Sequence, residues 1–129
     1  MSASESLEVA EKFFAAIPRR DLEAVRAIYA PAAEIWHNHD GVTQDVTANL
    51  RVLAWVVKNI SGLRYEDVRR SATPTGFVQQ HVLRGTAPNG QALEIPACIV
   101  CRVEGGRITR LDEYLDSGHL AALSIPGQR

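Results

Sequence analysis

Only two cysteines, Cys98 and Cys101, occur in the 129 residues. They sit three apart in a run of strand-forming residues, where alternation sends them to opposite faces. A redox or zinc C-x-x-C would need a turn or helix start there, and zinc would need two more ligands nearby. Two ordinary buried or half-buried thiols are expected. Excess charge is also missing, since 14 basic and 15 acidic residues leave a net charge of −1. Without a basic footprint, nucleic acid and anionic membrane surfaces are not expected partners. No apolar run approaches the length of a bilayer span. The opening MSASESLEVAEKFF has two glutamates before any apolar run and lacks the basic n-region of a secretory signal, so the expected location is cytoplasmic. No glycine-rich phosphate loop is present, so no cofactor is expected. Repeats, low-complexity tracts and linkers are absent as well.

What the chain does have is 46% hydrophobic residues, enough for one domain over residues 1–129 to bury a core without metal or disulfide support. From Ser4 to Ile17 the residues Leu7, Ala10, Phe13, Phe14 and Ile17 recur at helical spacing, and Pro18 stops the helix. Asp21 is a good N-cap for a short second helix with Leu22, Val25 and Ile28 on one face, closed by Pro31. Ala33 to His37 suits a short strand entering the turn His39-Asp40-Gly41. Between Thr43 and Ile60 a third helix is marked by Val46, Leu50, Leu53, Ala54, Val57 and Ile60, with Gly62 placed as a C-terminal cap. Strands then follow at Leu63–Ala72, Phe77–Thr86, Ala92–Val103 and Arg107–Leu115, divided by turn-forming Pro-Thr-Gly, Pro-Asn-Gly and Glu-Gly-Gly. Three helices followed by an antiparallel meander define an α+β domain with its helices on one sheet face.

The phrases DLEAVRAIYAPAAEIWH, VLRGTAPNGQ and above all GRITRLDEYLD make the chain, from about Ser4 to Leu123, resemble the SnoaL-like branch of the nuclear transport factor 2-like superfamily. That resemblance implies a cone-shaped, curved antiparallel sheet packed against three N-terminal helices. It also implies an internal pocket for a small hydrophobic molecule and a homodimer through the outer sheet face. Relatives include polyketide cyclases, steroid isomerases and limonene epoxide hydrolases, so the fold alone gives no activity.

Polar groups on the inward face must carry any chemistry. In the last strand the row Leu111, Glu113, Leu115 matches the family's pocket row, and Glu113 breaks its apolar character. A desolvated carboxylate there suits a general base or proton donor. A glutamate satisfied by an arginine, or a register that turns Asp112 inward, is the plainer alternative. The resemblance puts His37 near the position of the steroid isomerase base, and a one-residue gap would give that place to Asn38. Histidine titrates close to neutrality, so His37 could move protons with little tuning; a structural, hydrogen-bonded histidine is the other possibility. On the strand FVQQHVLRG, Gln79, His81 and Leu83 share a face, which could hold a substrate carbonyl or water, or form a dimer surface. His39 and Asp40 border the expected mouth, as functional residues or as a solvated turn. His119 belongs to the surface or a lid, and Trp36 and Trp55 to packing or interfaces. The spacing His37-x-His39 lacks a following ligand set, so no metal is expected.

Steroid isomerases require a tyrosine and an acidic residue where Phe13 and Ile99 fall here, and those two positions, with Leu50, Leu53, Val57, Leu111 and Leu115, are expected to give an apolar wall. The arginine of limonene epoxide hydrolases is missing from its row. The sequence therefore supports a cofactor-independent lyase, isomerase, cyclase or hydrolase using His37, Glu113 and His81. A non-catalytic binding module and a dimerisation domain with a filled core are the alternatives.

Overall fold

The computed structural model describes residues 2–120. Helix α1 (Ala3–Ala16) starts in a capping box in which Ser2 and Glu5 satisfy each other's backbone N–H groups. It commits Val9, Ala10, Phe13 and Phe14 to the core. Helix α2 (Leu22–Ile28) is capped as expected, the Asp21 carboxylate accepting from the Ala24 N–H at 3.1 Å.

Strand β1 (Tyr29–His37) begins directly after α2, four residues before the expected start and before Pro31 could close the helix. Proline is tolerated there because pairing with strand β6 (Arg107–Leu115) skips from Tyr29 to Glu34, so the stretch holding Pro31 owes the ladder no N–H. A two-residue strand β2 (Thr43–Gln44) closes this edge, and helix α3 (Val46–Asn59) follows, capped by Asp45. Gly62 takes a positive φ of 63°, yet it lies inside strand β3 (Ser61–Thr73), because the helix ends at Asn59 and Ile60 is its C-cap. Strands β4 (Gly76–Thr86) and β5 (Ala92–Glu104) complete the set.

The sheet order is β2-β1-β6-β5-β4-β3. The four-strand meander β3 to β6 is antiparallel throughout, as the turns imply, while β1 joins β6 in parallel, making the complete sheet mixed. Three helices cover its concave face, and the core between them is built on Phe13, Phe14, Val25, Ile35, Phe77 and Ile108. A second apolar cluster of Val56, Ile60, Ala87, Leu93 and Ile95 fills the end where α3 meets β5. Cys101 is buried and Cys98 half-buried on the opposite face, both as free thiols. In β3 the pairing slips between Glu66 and Arg69, where Asp67 takes φ 55°, a bulge that inserts extra chain and resets which side chains face inward. No helix among the described residues is long and apolar enough to cross a membrane.

Candidate functional site

Parallel pairing sets His37 of β1 opposite Glu113 of β6, two residues beyond the pair Ile35 and Leu111 on the same face. Alternation alone therefore delivers both side chains to the concave side. Their reactive ends meet, with His37 Nε2 3.2 Å from Glu113 Oε1. The neighbouring residue Asn38 turns outward. It is exposed, its N–H donates to the Glu113 carbonyl, and its side-chain oxygen accepts from the Leu115 N–H at 2.9 Å. Asn38 thus ties the two strands together outside the cavity, and the open choice between His37 and Asn38 falls to His37. The choice between Asp112 and Glu113 likewise falls to Glu113, since Asp112 pairs with Arg110 Nε at 3.0 Å.

A cavity of about 110 Å³, enough to hold several waters, opens beside this pair. Its polar lining comes from His37, His39, Asn49, Tyr65, His81 and Glu113, and its apolar lining includes Leu53, Leu83, Ile95 and Leu115. Leu53 and Leu115 thus stand where the sequence reading put them. Phe13, Leu50, Val57, Ile99 and Leu111 do not line the cavity. They lie in the main core, where Phe13 of α1, Leu50 and Val57 of α3, Ile99 of β5 and Leu111 of β6 pack against other buried side chains.

Burial opposes a charge on His37, but the hydrogen bond and charge of Glu113, helped by Asp40, outweigh it and raise its pKa above the ordinary 6.5. His37 therefore holds its proton to a higher pH than a free imidazole does. His37 Nδ1 and both ring nitrogens of His39 are buried without a hydrogen-bond partner among the described residues. His39 Nε2 is 3.7 Å from the Asp40 carboxylate, so the turn is packed rather than solvated.

The second polar group is a chain of three side chains. Gln79 is fully buried, with Oε1 2.6 Å from Arg70 Nε and Nε2 2.8 Å from His81 Nδ1. Burial lowers the pKa of His81; Glu113 pushes it up and Arg70 down. Gln79 itself supports His81 from behind instead of lining the cavity. The rings of Tyr65 and Phe14, 4.6 and 5.5 Å from the imidazole centre, fix the plane of His81. An arginine does reach this region, from β3 instead of the row where the sequence reading sought one.

Tyr65, Asn49 and Arg70 were not singled out in the sequence. Asn49 is buried in α3, where its side-chain oxygen accepts from the Tyr29 hydroxyl at 2.8 Å, and a polar residue on the apolar helix stripe was the available signal. His119 is exposed, with Nδ1 2.9 Å from the Glu94 carbonyl oxygen. Trp36 lies on the convex face against Tyr114, ring centres 5.4 Å apart. Trp55 packs on the second core cluster.

A curved sheet wrapped around a polar-based cavity under three helices is the nuclear transport factor 2-like arrangement. Residues 10–111 match the SnoaL-like domain family, and the chain belongs to it. No curated protein matches the chain. Among solved structures, a candidate polyketide cyclase from Xanthomonas campestris superposes with a TM-score of 0.81 at 19% identity, covering 93% of this chain and 96% of its own. A protein with a ketosteroid isomerase-like fold from Catenulispora acidiphila, in complex with trimethylamine, gives 0.77 at 17% identity, with 92% and 94% covered. An LEH-like epoxide hydrolase from M. tuberculosis gives 0.75 at 18%, with 91% and 86% covered. At these identities the likeness is one of fold.

Proposed function

We propose that this protein is a cofactor-independent enzyme that moves a proton on a small, largely apolar molecule bearing an oxygen acceptor. The observation carrying this reading is the 3.2 Å approach of His37 and Glu113 in a cavity that is also lined by apolar side chains. Glu113 takes a proton from a substrate carbon or from an attacking water, and His37, held against its carboxylate, stabilises the resulting charge distribution. His81 stands in the same cavity as a hydrogen-bond donor for the substrate oxygen on which negative charge develops. The reading is supported by structural neighbours described as a candidate polyketide cyclase and an LEH-like epoxide hydrolase. A second copy packed on the convex face would cover Tyr114 and Val100, 46% and 38% exposed.

The test is a turnover panel of small epoxides, enolisable ketones and 1,3-dicarbonyl compounds, run on the native protein, Glu113→Gln and His37→Asn. Turnover of at least one class is expected, with kcat/KM falling about 10²- to 10⁴-fold in Glu113→Gln. Compounds that bind the native protein and Glu113→Gln equally well, with no turnover by either, would establish a binding module instead.

A further inference from the structure

The chain Arg70, Gln79, His81 has a direction that its donors and acceptors impose. Arginine can only donate, so Arg70 Nε donates to Gln79 Oε1 at 2.6 Å. That contact fixes which end of the amide is oxygen, because the flipped amide would set an NH₂ group against the guanidinium. Gln79 Nε2 is then the donor of the 2.8 Å contact, and His81 Nδ1 must accept. An imidazole accepting at Nδ1 carries its proton on Nε2 and is neutral. Gln79 is fully buried, so its amide is shielded from bulk water.

We infer that Arg70 is a positioning residue which, through Gln79, locks His81 as a neutral imidazole with its Nε2–H as the proton offered to the cavity. The lowered pKa of His81 agrees with this arrangement. A neutral donor polarises a substrate oxygen without releasing a proton to it, and it leaves proton transfer to Glu113 and His37. This division of labour rests on the function proposed above, whereas the tautomer lock itself does not.

Arg70 can act this way only because of the bulge in β3. Tyr65 and Arg70 are separated by an odd number of positions and would face opposite sides of a regular strand. The slip between Glu66 and Arg69 lets both turn inward, Arg70 over the Phe14 ring with 5.9 Å from Cζ to the ring centre.

The lock is tested by nitrogen-detected NMR of the histidine side chains in the native full chain, Arg70→Met, Arg70→Lys and Gln79→Glu, with His81 assigned by its loss in His81→Phe. The native protein should show the Nε2–H tautomer and a titration below the ordinary histidine range. Arg70→Met should mix the tautomers and raise the His81 pKa, and Arg70→Lys, which can still donate to Gln79, should restore most of the native signal. Gln79→Glu, which cannot donate to Nδ1, should move the proton to Nδ1 and raise the pKa. A native Nδ1–H tautomer, or an Arg70→Met spectrum unchanged at His81, would overturn the inference. In any turnover found, Arg70→Met should lower kcat about 10-fold and His81→Phe about 10²- to 10³-fold. Absent turnover with the tautomer shifts intact would remove the enzymatic reading and leave the lock standing.

Discussion

Replacing Glu113 with glutamine should destabilise the fold in a pH-dependent way whose sign follows from the His37 environment. The His37 pKa is raised in the folded protein above its ordinary 6.5, through the contact with Glu113 at 3.2 Å. The stabilisation from that shift is fully present below 6.5 and is lost as pH rises through the folded value. A hydrogen bond to a charged partner contributes about 1.5–3 kcal/mol and a neutral one about 0.5–1.5 kcal/mol. The side chains of His37 and Glu113 are only 11% and 21% exposed, so solvent screening trims these figures modestly. Glu113→Gln should therefore cost about 2 kcal/mol near pH 6, shrinking by about 1 kcal/mol near pH 9. Glu113 also holds the His81 pKa up, so its loss acts on His81 in the same direction on the acid side. Urea unfolding of both proteins at the two pH values measures the difference, and NMR titration should find the His37 pKa lower in the variant. A penalty that is flat or grows with pH would refute the pairing.

Tyr29→Phe leaves the buried Asn49 oxygen without its 2.8 Å donor and should cost about 1–3 kcal/mol in chemical unfolding. Gly85→Ala would set a methyl 2.7 Å from Ile60 Cγ2 and 3.0 Å from the Ser61 carbonyl oxygen, and because the latter is backbone that cannot swing aside, a loss of about 1–3 kcal/mol is expected from thermal or urea melts. Thiol-reagent kinetics should be biphasic: half-buried Cys98 reacts first, while Cys101, whose pKa burial raises well above the ordinary value, reacts only on unfolding.

Periodicity made most of the architecture legible. Asp21 and the α1 and α3 stripes located the helices, and the three turn signals located the meander. The start of β1 was missed because Pro31 argues against a strand unless the ladder skips it, and that skip is a property of the partner β6. Within the site, His37, Glu113 and His81 are brought together on a concave face, since strand parity survives wherever the ladder is regular. Tyr65 and Arg70 were invisible for the converse reason: a bulge at Asp67 breaks the parity on which such reading depends, and nothing in the local residues announces it. The apolar wall differs at Phe13, Leu50, Val57, Ile99 and Leu111 because a helical stripe or an alternating strand row shows that a side chain is buried but not whether it borders empty space or another side chain.

The bulge in β3 also bears on what the molecule does in a crowd of its own kind. β3 is the far edge of the sheet, a 13-residue strand with no neighbour on its outer side among the described residues. A long edge of this sort is a template onto which a stray strand can add, the first step toward aggregation. The kink at Asp67, flanked by the charges of Arg64, Glu66 and Arg69, interrupts the row of outward N–H and C=O groups midway and twists the two halves out of line. Straightening that strand by deleting a residue would be expected to increase aggregation and to cost Arg70 its inward reach.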